Sequence, residues 1–218
     1  MTRNIRNRHY ALIGISAEQL PGSYILRVSP PDLDSFSQTF RVSPLLAEDA
    51  QRSRTLDTSL ADSDLDINES SFSIDYNADF DTQSYQPDFR FETPVEPKLL
   101  VPFGILISDK PTSEPIRHFG LTYFSKQDAL VYAPATGRVS HIEQNANGTW
   151  RVYLHHGLSL QSAIDQLSEI VVDLDQEIAQ GELIGVVSDS QLGGFGRVDW
   201  GVLLNGALID PLALVPEN

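Results

Sequence analysis

The sequence contains no cysteine, one methionine, two tryptophans and half as many cations as anions. Without cysteine there is no disulfide framework, no thiolate metal site and no thiol nucleophile. The compartment is left open, because an exported protein can dispense with cysteine altogether. Lys and Arg number 15 against 30 Asp and Glu, a formal charge of -15 over 218 residues. A chain this acidic repels phosphate backbones, which makes nucleic acid the partner class least favoured by charge, and it fits an anionic membrane surface poorly. No apolar run approaches the ~20 residues of a membrane helix. Residues 1–9 carry Arg3, Arg6 and Arg8 and no acid, superficially like the basic start of a signal peptide. Tyr10 to Ile15 is too short for the apolar core of one, and Ser16-Ala17-Glu18 offers no cleavage pattern. Two readings follow: a cytoplasmic protein, or an exported one whose targeting segment is not in this sequence.

What is present is ordinary globular material, 41% hydrophobic and 21% charged, which excludes wholesale disorder. Three stretches differ in texture. Residues 1–44 carry strand signals at His9–Ile15, Ser23–Val28 and Phe36–Val42, with Pro21-Gly22 as a turn. They predict a small β-sandwich-like domain, short for a whole one. Residues 45–93 form an acidic stretch. Between 46 and 92 there are twelve Asp or Glu against three Arg, more than half of the chain's net charge. Its composition predicts a solvated linker, partly disordered, with docking of its scattered aromatics on a neighbouring domain as the other reading. Residues 94–218 return to short strands: Leu99–Val101, Gly104–Ile107, Gly120–Tyr123, Ala129–Ala133, Gly137–Gln144, Thr149–His155, Leu183–Val187, Val198–Leu204 and Ala207–Ile209. Asn147-Gly148 and Asn205-Gly206 mark hairpins. Apolar spacing over Leu160–Leu167 predicts one helix. The fold class is all-β, with an antiparallel C-terminal domain.

The C-terminal half carries an ordered set of motifs: Phe103-Gly104, His118-Phe119-Gly120-Leu121, Val131-Tyr132-Ala133-Pro134-Ala135-Thr136-Gly137-Arg138-Val139, His156-Gly157-Leu158, Gln166-Leu167-Ser168, Gly181-Glu182-Leu183-Ile184-Gly185-Val186-Val187, Asp199-Trp200-Gly201-Val202 and Asp210-Pro211. Together, over about 94–215, they resemble the LytM or lysostaphin-type zinc endopeptidases that cut peptide cross-links of bacterial cell walls. Residues 10–43 resemble the small β-domain that precedes the peptidase in some exported members. In those members further strands come first, so the resemblance implies that Met1 is not the natural start and that a signal segment is missing.

The resemblance implies a zinc held by a His-x-x-x-Asp pair and the second His of a His-x-His triplet, with two assisting histidines. Here His118 matches the first ligand. Thr122 stands at the Asp position, Gln166 at that of one assisting His, and Arg197-Val198-Asp199 at the triplet. A catalytic zinc needs about three protein ligands and an open position. Thr122 is a poor ligand, Gln166 does not titrate, and a guanidinium beside the metal position repels a dication. Arg197 and Asp199 are two apart on a predicted strand and share a face. Arg197 can therefore close on Asp199 and take over the charge role of zinc, or offer its fork to an outside carboxylate.

Other features read as structural. His155 and His156 are adjacent on a strand and point to opposite faces. His141 is an ordinary strand residue and Trp200 a core residue or groove floor. Gly193-Gly194-Phe195-Gly196 lacks the Lys and helix start of a phosphate loop and reads as a connection. No Ser-His-Asp set emerges from five histidines without an elbow motif.

The expectation is a catalytically inactive homologue with no metal and no cofactor, periplasmic or otherwise exported. It acts by binding an envelope protein or peptidoglycan through a groove lined by His118, Thr122, Gln166, Arg197 and Asp199. The alternatives are an active peptidase with an altered ligand set and a peptidoglycan-binding module.

Overall fold

Hairpin chemistry and alternation set most of the architecture. The computed structural model describes residues 2–5, 8–29, 34–44, 89–96, 99–107, 116–189 and 195–216. The acidic stretch over 45–88 and Gly193-Gly194 lie outside the described residues. Near the N-terminus, β1 (Thr2–Ile5) pairs with β2 (Arg8–Ala11), and β3 (Gly22–Val28) with β4 (Phe36–Val42), as two separate two-stranded antiparallel sheets. The basic first residues are therefore strand. In β3, exposure alternates residue by residue, and Tyr24 stacks on its cross-strand partner Phe40 with ring centroids 5.9 Å apart.

The rest builds on one ten-stranded sheet. Its members are β5 (Leu99–Val101), β8 (Leu121–Lys126), β9 (Leu130–Tyr132), β10 (Gly137–Gln144), β11 (Trp150–His155), β12 (Leu160–Ile170), β13 (Glu177–Ile178), β14 (Leu183–Asp189), β15 (Phe195–Leu204) and β16 (Ala207–Ile209). The small hairpin of β6 (Leu106–Ile107) and β7 (Ile116–Arg117) stands apart from it. The main path runs β13-β10-β11-β12-β14-β15-β8-β5, with β9 on β14 and β16 on β15. Asn205 and Gly206, at φ of 50° and 80°, make the two-residue turn that closes β15 on β16.

The helix expected over Leu160–Leu167 is a strand. Leu160, Ala163, Ile164 and Leu167 have helical spacing, but β12 is covered on both faces, so apolar residues recur without strict alternation. The strand pairs with β11 on one side and, on the other, with β15 over its first half and β14 over its second. Gln166, at φ 68°, is the left-handed step just before the strand changes partner.

One sheet face holds the core. Leu121, Tyr123, Val152, Leu154, Ile164, Val198, Trp200 and Val202 are buried there. Each large apolar side chain contributes about 1.5–3 kcal/mol. Phe91, from the end of the acidic stretch, is fully buried between His156 and Trp200. Its neighbours tie in by backbone: Phe91 N–H to Leu214 O at 2.9 Å, and Glu92 N–H to Pro134 O at 2.8 Å. The domain core thus starts before residue 94.

Candidate functional site

The candidate residues sit on the sheet face opposite the core, and register alone brings them together. Thr122 of β8 lies directly opposite Asp199 of β15, and Asp199 lies opposite Asp165 of β12. Facing residues of antiparallel strands share a face. Arg197, two residues before Asp199, is opposite Phe124 and follows on that face. His118 precedes β8 and is set by backbone bonds to the loop before β6: its N–H donates to Ile105 O at 2.8 Å, and its carbonyl accepts from Gly104 N–H at 2.7 Å.

These side chains form one chain of contacts. The Thr122 hydroxyl donates to Asp199 Oδ1 at 2.5 Å and lies 3.2 Å from His118 Nε2. Since the hydroxyl has one proton and gives it to the carboxylate, it accepts from His118, which places the imidazole proton on Nε2. The other Asp199 oxygen, Oδ2, forms an ion pair with Arg197 Nη2 at 2.9 Å. All four residues are more than nine-tenths buried. Burial holds the His118 pKa below its ordinary value; Asp199 opposes the shift and Arg197 reinforces it, so the imidazole is neutral at pH 7. Gln166 joins the set through its backbone, whose N–H donates to Asp165 Oδ1 at 2.7 Å.

A second cluster lies on the same face and escaped the sequence reading. Arg151 reaches Asp165 Oδ2 through Nε at 2.7 Å and also through Nη2, while Asn145 Nδ2 donates to Asp165 Oδ1 at 2.7 Å. Arg151 Nη1 donates to Glu143 at 3.0 Å, and Tyr153 Oη to the same carboxylate at 2.7 Å. Burial would lower the Arg151 pKa, but the Asp165 charge together with the hydrogen bonds to Tyr153 and Asp165 outweighs it and the guanidinium is held in its charged form. The signal was present: Asp165 is the one charged residue in an apolar segment, and a buried carboxylate demands a partner. Reading that segment as a helix hid the face it shares with Asp199.

Two further histidines lie apart from this chain of contacts. His156 gives its Nδ1 proton to Thr136 O at 2.9 Å and accepts at Nε2 from the Ser162 hydroxyl at 2.9 Å; Ser162 in turn accepts from Trp200 Nε1 at 3.3 Å. Burial lowers the His156 pKa to about 4. His141 is exposed on β10 beside Tyr153.

Residues 116–211 match the model of Peptidase family M23. No curated protein matches the chain. Among solved structures, a putative peptidase M23 from Pseudomonas aeruginosa is similar over 99% of this chain and 82% of its own, at 23% identity and a TM-score of 0.63. Csd3 of Helicobacter pylori is similar over 62% of this chain and 38% of its own, with 23% identity and a TM-score of 0.51. A zinc-containing peptidase from Vibrio cholerae is similar over 55% and 38%, with 18% identity and a TM-score of 0.50. These likenesses establish the fold. Among the described residues, no helix is long and apolar enough to cross a membrane.

The donor set does not fit a catalytic zinc. Of the matched positions, only His118 and Asp199 are ligand types. Asp199 is engaged by the Thr122 proton on one oxygen and by the Arg197 cation on the other. Among the described residues, no group of three or more His, Cys, Asp or Glu is placed to hold a metal.

Proposed function

We propose that this chain, whose residues 116–211 match the model of Peptidase family M23, is a non-catalytic member of that family that acts by binding in the bacterial envelope, on a protein partner or on peptidoglycan. One observation carries the reading: the closed contact chain His118–Thr122–Asp199–Arg197 stands where the family resemblance puts zinc and its ligands. Hydrolysis of a peptide bond needs an activated water and a group that moves protons. Gln166 does not titrate, Arg197 stays protonated, and Asp199 is neutralised in place. The arrangement supports a groove with a fixed polar floor, with His118, Thr122, Gln166, Arg197 and Asp199 as its floor residues. Export follows from the cell-wall substrates of the family it resembles.

The test uses the full chain. Elemental analysis is expected to find no stoichiometric zinc, and incubation with purified sacculi to release no soluble peptides. Sedimentation with sacculi separates a peptidoglycan-binding role from a protein-partner role. Release of peptides that stops on adding a chelator overturns the reading.

A further inference from the structure

The polar face contains two buried carboxylates in direct cross-strand opposition, Asp165 on β12 and Asp199 on β15, both fully buried. Like charges directly opposite each other destabilise a sheet, and more so away from water. Each carboxylate carries its own guanidinium. Asp165 is gripped by two nitrogens of Arg151, and Asp199 by Nη2 of Arg197. The oxygens left over are met by neutral donors: Asn145 and the Gln166 N–H at Asp165, Thr122 at Asp199. Two buried aspartates and two buried arginines are thus matched one to one, with the half-exposed Glu143 on the outer side of Arg151 and neutral His118 joined to Asp199 through Thr122.

We propose that the metal position of this fold has become a guanidinium site whose resident is the chain's own Arg197, charge-matched through the Asp165–Asp199 opposition to the Arg151–Asp165 pair. The proposal rests on the reading that this chain holds no zinc. It assigns the site a ligand chemistry of its own: a planar monovalent cation in ion-pair contact with a buried carboxylate. Zinc does not suit it. The groups around Asp199 are one imidazole that has given its Nε2 proton to a hydroxyl, and that hydroxyl. A dication there would displace the Thr122 proton from Asp199 and stand beside the Arg197 guanidinium.

Truncation to Arg197→Ala leaves Asp199 buried and unpaired, with a guanidinium-sized space beside it. The unfolding midpoint of Arg197→Ala is expected to fall by about 6 °C or more. Guanidinium chloride at about 10 mM, far below denaturing levels, is expected to recover part of that loss relative to equal sodium chloride, as a ligand of the native state does. The parent chain should show no such rise, and neither should Arg197→Ala/Asp199→Asn, which lacks the anion. Arg197→Met/Asp199→Asn, with both charges removed, is expected to lose less than the two single changes together. If Arg197→Ala does not fold, this double variant decides: a folded double variant supports charge pairing, and an unfolded one overturns it in favour of shape. An Arg197→Ala chain as stable as the parent, or an equal guanidinium response in the Asp199→Asn background, overturns the proposal and leaves the non-catalytic reading standing. One tightly bound zinc per parent chain overturns both.

Discussion

Acidification should unfold this domain through His156, and the size of the effect follows from the burial of that ring. His156 is 1% exposed, lies edge-on to Phe91 with centroids 4.8 Å apart, and is fully hydrogen-bonded in its neutral form. Burial lowers its folded pKa to about 4, from an ordinary value of 6.5. The unfolded chain therefore takes up a proton as pH falls below about 6.5, while the folded chain refuses it until about 4. Stability from this group is fully present above the unfolded value, is lost as pH falls through that window, and levels off below it. At ~1.4 kcal/mol per pH unit, the loss is about 3 kcal/mol, a large part of a typical domain's stability. His118, lowered in the same direction by burial, adds to the loss with the same sign. The assay is urea unfolding at closely spaced pH values from 7.5 to 4 on the parent and on His156→Phe, with His141→Gln as an exposed control. The parent should lose stability with a slope of about one proton between pH 6 and 4.5, and more where His118 contributes. His156→Phe should be less stable at pH 7, since Ser162 and Thr136 lose a partner, yet show a slope shallower by that one proton. A His156 ring that titrates near 6.5 in the folded protein by NMR, or a His156→Phe slope equal to the parent's, refutes the reasoning.

Further outcomes follow from single contacts. Phe91→Ala removes a fully buried ring packed on Trp200 and should cost about 3–5 kcal/mol by chemical denaturation, which makes residues 89–93 part of the domain and not of a linker. Arg151→Met strands the Asp165 carboxylate in a fully buried position and should cost about 3–5 kcal/mol at pH 7, with Arg151→Met/Asp165→Leu closer to the parent. The fourfold change Thr122→Asp/Gln166→His/Arg197→His/Asp199→His restores the donor types that the family resemblance implies; it should take up about one zinc per chain by elemental analysis, and Thr122→Asp alone should take up none. Gly14→Ala would drive a Cβ into Leu204 O and should break the bond from Asn205 Nδ2 to Leu12 O, visible as faster amide exchange over residues 12–16 with the sheet unchanged.

Much of the C-terminal fold was legible because local chemistry and tertiary demand agree there. The Asn205-Gly206 turn needs two positive φ values, and Asn-Gly supplies them cheaply; β10 and β16 fall on the predicted spans. Residues 160–167 were misread because a strand covered on both faces loses the alternation that identifies strands. The N-terminal hairpin of β1 and β2 was missed because Thr2–Ile5 is short and polar. Phe91 was hidden by its acidic surroundings, since composition averages over the one residue that packs. At the site, His118, Thr122, Arg197 and Asp199 lie in one chain of contacts, while the Gln166 N–H donates to Asp165. Of the two roles open to Arg197, it closes on Asp199. No motif marks Arg151 or Asn145; only their side-chain hydrogen bonds in the folded chain show that they meet Asp165.

The same register explains how such a site can change its chemistry without losing its fold. Along β15, Arg197 and Asp199 alternate with Val198 and Trp200; along β8, Thr122 stands between Leu121 and Tyr123. Polar positions and core positions are neighbours in sequence but lie on opposite faces, so a substitution on the polar face leaves the apolar face and its packing energy untouched. What the polar face must conserve is charge balance and hydrogen-bond satisfaction, because its groups are buried as deeply as the core. A dication among anionic and neutral ligands meets that requirement. Two arginines against two aspartates meet the charge requirement, with a threonine hydroxyl linking a neutral histidine to Asp199 and the Arg197 cation facing the Asp199 oxygen that accepts no hydrogen bond. On the non-catalytic reading proposed above, the second solution leaves no open coordination position of the kind a catalytic zinc requires. On this reasoning the constraint on residues 197 and 199 is joint: either change alone leaves a buried charge unpaired, and only a paired change passes from one solution to the other.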